Sequence, residues 1–274
     1  MATEPNTRRP PKPALSSADR HRLAGVLYHC LRNRTVIPPL TEQVSHITVS
    51  DAYRISRHIL DRRVAGGERV IGKKIGVTSD AVQSMLGVYE PDFGFLTDAM
   101  QLPEGDVSLA GLIQPRAEAE IAFVLGEVLQ GPGVSADDVL AATREVRACF
   151  EIVDSRIADW RIRIQDTVAD NASCGVFMVS SSGVDPRGLD LPGCKVTVTK
   201  NGEFLSEGLG SAVQGSPQQA VAWLANTLGA LGVPLQPDEI ILSGSLVPLE
   251  PVSAGDEMEM RIPGIGSLSA RFTA

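Results

Sequence analysis

IQPRAEAEIAFVL, residues 113–125, sets two glutamates, Glu118 and Glu120, two positions apart at the head of an apolar run. The stretch reads as a β-strand, where side chains two apart share a face and lie about 6.6 to 7 Å apart along the chain. Ala117, Ala119, Ile121, Phe123 and Leu125 fall on the opposite face, and the carboxylate face itself continues as Ala122 and Val124. Such a strand is buried on both sides. Two like charges there repel and are poorly solvated unless a cation lies between them. A third acid, Glu151 in CFEIVDSRIADW (149–160), completes an all-oxygen set of the kind that hard divalent ions, Mg²⁺ or Mn²⁺, prefer. The competing reading is an edge strand with its acids in water, which the apolar run beyond Glu120 opposes.

Composition narrows the class. A chain of 274 residues can bury a substantial core, and a net charge of -8 disfavours nucleic acid or an anionic membrane as the main partner. A small-molecule substrate fits better. Cys30, Cys149, Cys174 and Cys194 show no CxxC pair or metal-spaced ladder and read as reduced thiols, which suits a cytoplasmic location. No apolar stretch reaches the length of a membrane span. The opening MATEPNTRRPPKPALSS lacks the apolar core of a signal peptide, and its prolines and Glu4 disfavour a transit peptide, so residues 1–15 are expected to form a disordered tail.

Residues 16–69 read as helical. Ser16 or Ser17 caps a helix with Leu23, Val26, Leu27, Cys30 and Leu31 on one face. Asp51 opens another with Tyr53, Ile55, Ile59, Leu60 and Val64, closed by Gly66 and Gly67. From Val70 the texture changes to short β-like runs, so 70–274 is expected to be a β-rich catalytic domain. It is interrupted by a helix after Ser135, with Asp138 at its third position, and another after Ser216, with Pro217 first and Val221, Leu224, Leu228 and Leu231 as its stripe. The C-terminal segment from Glu239 alternates as antiparallel strands do.

Several catalytic constellations are missing. His21, His29, His46 and His58 all lie in the helical part, away from the glutamates in sequence. No GxxxxGK[ST] or GxGxxG follows a strand, and GPG at 131–133 reads as a turn. There is no GxSxG elbow, and Ser173 has no histidine nearby in sequence to activate it. Metal, carboxylate and lysine remain.

VIGKKIGVTSDAVQSMLGVYEPDFGFLTDAM (70–100), IQPRAEAEIAFVL, EIVDSRIADWRIRIQDTVADNASCG (151–175) and ILSGSLVPLEPVSAGD (241–256) closely resemble the 2-hydroxypenta-2,4-dienoate hydratases of aromatic meta-cleavage pathways, within the fumarylacetoacetate hydrolase superfamily. The resemblance runs from about Leu40 to Phe272 and is loose before it. It implies an α+β fold, a mixed rolled β-sandwich with an N-terminal helical cap, and Mg²⁺ or Mn²⁺ held by three acids. Glu118, Glu120 and Glu151 fall on those ligand positions. A 2-hydroxydienoate is the implied substrate, chelating the metal through its carboxylate and 2-oxygen, with water adding at C4. Lys74 and Asp92 match pocket positions that would supply the acid and base, a buried lysine beside a carboxylate being expected to titrate toward neutral pH. Lys73 alternates to the other face and reads as a surface charge, while Asp92, in a Pro–Asp–Phe–Gly cluster, reads equally as a turn residue. Ser173 and Ser245 resemble substrate-carboxylate groups or turn caps. Arg116 and Arg156 are expected either to orient the glutamates or to pair with Asp154 and Asp159 at the surface.

The alternatives are a 4-oxalocrotonate decarboxylase of the same superfamily, an acylpyruvate hydrolase, and a non-catalytic metal-stabilised subunit that docks a neighbouring pathway enzyme. The hydrolase needs a general base, commonly histidine in that branch, and no histidine is near the glutamates in sequence. Self-association is implied by the family.

Overall fold

The computed structural model describes residues 14–79, 83–84 and 90–274, so residues 1–13 of the expected tail lie outside the described residues. Leu15, assigned to that tail, is instead 6% exposed, and its carbonyl accepts from Arg20. It is drawn in because the helices that follow present an apolar face. α1 (Ser17–Asn33) is capped by Ser16 and buries Leu23, Ala24, Leu27 and Cys30. After α2 (Leu40–Gln43), α3 (Val49–Ala65) buries Ile55, Ile59 and Leu60. Asp51 does not open α3: Thr48 is its N-cap, and Asp51 at the third position completes the reciprocal capping box.

These helices do not close a core of their own. Leu23, Leu27, Ile55 and Ile59 pack in one cluster with Ile157, Ile164 and Val168 from the later part of the chain. Asp166 on α5 (Ile164–Ala169) accepts from the backbone and hydroxyl of Thr41, which fastens α2 to it.

Two sheets carry the rest. Strands β1 (Val70–Gly76), β2 (Asp92–Thr97), β4 (Arg116–Leu125), β5 (Thr143–Val153), β6 (Cys174–Val179) and β9 (Ile240–Ser245) run in the order β2-β1-β9-β4-β5-β6, with β10 (Glu250–Pro251) paired to β4. The smaller sheet orders β3 (Gly105–Ser108), β12 (Gly266–Thr273), β11 (Glu257–Ile262), β7 (Lys195–Lys200) and β8 (Glu203–Leu209) as β3-β12-β11-β7-β8. The C-terminal strands pair antiparallel with one another and with β4 and β7, but β9 lies parallel to β1 and β12 parallel to β3. The main core fills the space between the sheets, where Ile121, Phe123, Phe150 and Ile241 meet Val198, Met258, Met260 and Phe272. α4 (Ala136–Ala142), with its Ser135–Asp138 capping box, and α6 (Pro217–Gly229), capped by Ser216, add Val139, Val221, Leu224 and Leu228 to that core. Leu231 does not extend the stripe, because α6 ends at Gly229 and leaves it 70% exposed. The arrangement is α+β, with two mixed sheets and helices at the N-terminal end.

β1 departs from expectation. Lys73 and Lys74 do point to opposite faces, yet both are buried. Lys73 donates to both oxygens of Glu239, and on the other side Lys74 reaches Glu151. Alternation is local, but whether both faces are covered depends on partners far along the chain. Gly72 and Gly76 are required by close approaches: a Cβ at Gly72 would lie 1.9 Å from the Ile240 carbonyl oxygen, and one at Gly76 would lie 2.3 Å from Asp92 Oδ1. Lys73→Met is expected to destabilise the fold by about 3 kcal/mol, since it strands the Glu239 carboxylate, and Lys73→Met/Glu239→Leu to recover most of that loss. Urea melts of the four proteins in the cycle check this; additive losses would mean the pair is not coupled.

Candidate metal centre

β4 and β5 pair antiparallel with Glu118 opposite Glu151 and Glu120 opposite Cys149, so the register itself brings the third acid beside the first two. Each glutamate offers an oxygen within 4.8 Å of those of the others. Glu120 and Glu151 are fully buried and Glu118 is half-buried. Gly244 N–H donates to Glu120 Oε2 at 2.8 Å. Among the described residues, no N–H or O–H group satisfies Glu120 Oε1 or either oxygen of Glu151. Buried carboxylate oxygens without donors are costly alone and are what a cation would neutralise. Burial, and then repulsion from Glu151 and Glu118, hold the Glu120 carboxyl well above the usual carboxylate range. Glu118 is pushed up to about 7 by burial against the pull of Lys74, with Glu151 and Asp92 adding repulsion. Three clustered oxygen donors suit a hard divalent ion, so the residues fit the metal expected from the sequence.

Lys74 lies on the same sheet face. Its partners across β1 are Gly94 on β2 and Leu242 on β9, and Leu242 in turn faces Ala122 on the carboxylate side of β4. Lys74 Nζ stands 3.5 Å from Glu151 Oε1. Asp92 is not a turn residue but the first residue of β2, buried, with neither carboxyl oxygen hydrogen-bonded by another side chain or backbone among the described residues. It meets Lys74 over Gly76, whose missing side chain leaves the space: a Cβ there would lie 2.3 Å from Asp92 Oδ1 and 3.3 Å from Lys74 Nζ. Burial raises the Asp92 carboxyl to about 6, although Lys74 pulls it down. The expectation that Lys74 would titrate toward neutral pH is not met. Burial does lower its affinity for a proton, but Glu151, Glu118 and Asp92 together outweigh burial and raise it above the ordinary lysine value.

Ser173 is buried just before β6, with its hydroxyl 3.1 Å from that of Thr167. Ser245 stands opposite Glu120 in the sheet register but gives its proton to the Val247 carbonyl at 2.7 Å, as a turn cap would. Neither arginine follows expectation. Arg116 lies over the Trp160 ring, 4.9 Å from its centre. Arg156 is buried and binds Asp170 through its side chain at 2.6 Å, while donating also to the carbonyls of Asp154, Asp170 and Cys174. Asp154 instead accepts from the backbone N–H groups of Ile113 and Gln114. The sequence reading assigned no part to Asp170, Asn171 or Gly244. The only sequence signal was the small polar run DNAS, whose residues favour turns and left-handed backbone.

The fumarylacetoacetate (FAA) hydrolase C-terminal family matches residues 80–273. A 2-hydroxyhexa-2,4-dienoate hydratase of Comamonas testosteroni is 60% identical over 250 residues, 90% of this chain and 95% of its own length. A 2-hydroxypent-2,4-dienoate hydratase of Pseudomonas putida is 58% identical over 215 residues, covering 78% of this chain and 97% of that protein. Among solved structures, 4-oxalocrotonate decarboxylase from Pseudomonas putida G7, complexed with magnesium and adipate, matches with a TM-score of 0.91 at 36% identity, over 94% of this chain and 98% of that one.

Proposed function

The chain belongs to the fumarylacetoacetate hydrolase family, and from that premise we propose that it is a hydro-lyase. It adds water to 2-hydroxypenta-2,4-dienoate, the enol of 2-oxopent-4-enoate, and forms 4-hydroxy-2-oxopentanoate in aromatic meta-cleavage catabolism. The observation that carries this reading is the cluster of Glu118, Glu120 and Glu151, with unsatisfied oxygens on the two buried glutamates, beside the buried Lys74 and Asp92. Greater identity to the dienoate hydratases than to the decarboxylase supports hydration over loss of CO₂.

Glu118, Glu120 and Glu151 would hold Mg²⁺ or Mn²⁺, which would supply Lewis acidity toward the 2-oxo acid. The chain's own groups handle the protons. The 2-hydroxyl must lose a proton and C5 gain one as the dienol becomes a conjugated ketone; water then loses a proton as its oxygen adds at C4, and C3 takes one up. Asp92, with its carboxyl near 6, exchanges a proton close to neutral pH, and Lys74 beside it, kept protonated by Glu151, Glu118 and Asp92, acts as the general acid. Ser173 binds the substrate carboxylate, and Ser245 joins it only by turning its hydroxyl away from Val247. Residues 16–69 cap the catalytic part, 70–274. The protein works in the cytoplasm as a homo-oligomer, in association with a neighbouring pathway enzyme; its four free cysteines suit a reducing compartment. No helix among the described residues is long and apolar enough to cross a membrane.

Chelation is expected to abolish turnover of the dienoate, with Mg²⁺ or Mn²⁺ restoring it better than Zn²⁺ because the donors are all oxygen. Full activity in exhaustively metal-free protein refutes the metal assignment. CO₂ release from a diacid dienoate, without hydration of the monoacid, would transfer the chain to the decarboxylase reading.

A further inference from the structure

Asn171, Ala172 and Ser173 are three successive non-glycine residues with φ of 56°, 52° and 54°. L-residues avoid left-handed backbone singly and rarely take it in a row, so such a turn persists only where its surroundings hold it. Here they do. Arg156 clamps Asp170 immediately before the turn, Ser173 N–H returns to the Asp170 carbonyl at 3.1 Å, and Asp154 N–H donates to the Ser173 carbonyl at 2.8 Å.

What the turn presents is the Asn171 amide. Its Oδ1 accepts from Phe95 N–H and its Nδ2 donates to the Phe95 carbonyl, both at 2.9 Å. β2 is the outermost strand of the larger sheet, paired to β1 alone. Asn171 therefore supplies, from a side chain, the two bonds that a neighbouring strand would make to Phe95. The approach is close: a Cβ at Gly94 would lie 2.5 Å from the Asn171 carbonyl oxygen. Gly94 is the residue opposite Lys74, and Asp92 lies on the same strand two residues before it. Ser173 follows Asn171 by two residues in the turn.

We infer that Asn171 is a positioning residue: its amide holds β2 against β1 and so sets the relation of Asp92 to Lys74, while the left-handed turn sets Ser173 from the same anchor. The metal ligands, on β4 and β5, do not depend on it. The readout on turnover rests on the hydratase reading; the readout on β2 does not.

Asn171→Gly removes the amide and leaves a residue at ease with φ near 56°. With Mg²⁺ and the dienoate, kcat is expected to fall on the order of 10- to 100-fold at nearly unchanged KM, the scale of a small misplacement of a reacting group. Mn²⁺ affinity, measured by titration, is expected to stay within about twofold, because no ligand strand is touched. Backbone-amide exchange over residues 92–97 is expected to accelerate by about tenfold or more while residues 116–125 keep the parental rate. Asn171→Asp, which retains the acceptor but sets a carboxylate against the Phe95 carbonyl, should show the same pattern. Parental kcat in both variants overturns the inference. So does a loss of metal affinity equal to the loss of kcat, with exchange quickened in both segments, because that is general loosening. A parent protein that fails to hydrate the dienoate defeats the functional reading instead, and the exchange pattern then decides alone whether Asn171 holds β2.

Discussion

Glu120→Gln is expected to fold normally, bind Mg²⁺ or Mn²⁺ more than about 100-fold more weakly, and lose nearly all turnover at ordinary metal concentrations. Even outer partners of a metal ligand are worth about 10- to 100-fold in affinity, so a direct carboxylate charge should exceed that. The metal-free variant should be no less stable than the metal-free parent. Glutamine keeps the acceptor for Gly244 N–H and removes a buried carboxyl whose ionised form Glu151 and Glu118 repel. The pH dependence follows from the sign of the shifts. A carboxyl raised on folding favours the folded state only while protonated, so the metal-free parent should lose stability as pH rises from the unfolded glutamate range through about 7, where Glu118 titrates. Glu120→Gln should flatten that decline, and saturating metal should abolish it, because the ion favours the ionised carboxylates. Calorimetric scans from pH 5 to pH 8 test this; collapse of the metal-free variant would make Glu120 a structural residue.

Lys74→Met is expected to retain metal and much of the substrate affinity while turnover falls by about 1,000-fold or more, the scale of a lost proton-transfer group acting in the transition state. Lys74→Arg should not rescue it. A guanidinium preserves positive charge beside Glu151 but holds its proton far more tightly and fills the space above Gly76 differently. Rescue by arginine would assign Lys74 a purely electrostatic part, leaving Asp92 as the proton carrier. Metal analysis together with single-turnover kinetics separates these outcomes, and near-parental turnover in Lys74→Met removes the residue from the mechanism.

The parts of the centre readable in sequence are those set by local geometry. Glu118 and Glu120 share a face because any strand alternates, and Ser16, Ser135 and Ser216 cap helices within a few residues of themselves. Glu151 was found as an acid in a second strand, but only the antiparallel register of β4 and β5 sets it opposite Glu118. What escaped sequence reading depends on partners distant in the chain. Lys73 is buried because Glu239, 166 residues later, closes over it. Arg156 binds Asp170 and not the glutamates because the chain turns back after α5. Asn171 is one polar residue in a small run until Phe95, 76 residues earlier, lies against it. The raised affinity of Lys74 for its proton likewise follows from three acids gathered from three strands.

The two adjacent lysines of β1 create a hazard during folding. A one-residue slip of a strand exchanges its faces, and in GKKIG such a slip still delivers a lysine either to the metal centre or to Glu239. Charge recognition alone therefore discriminates weakly between the correct pairing and its neighbours. The flanking glycines supply the missing discrimination. Either slip forces a side chain into the gap beside the Ile240 carbonyl and another into the gap beside Asp92, where an added carbon would come within 1.9 Å and 2.3 Å of those oxygens. Gly72 and Gly76 thus act as a steric ruler, rejecting misregistered chains in which the wrong lysine has found a carboxylate.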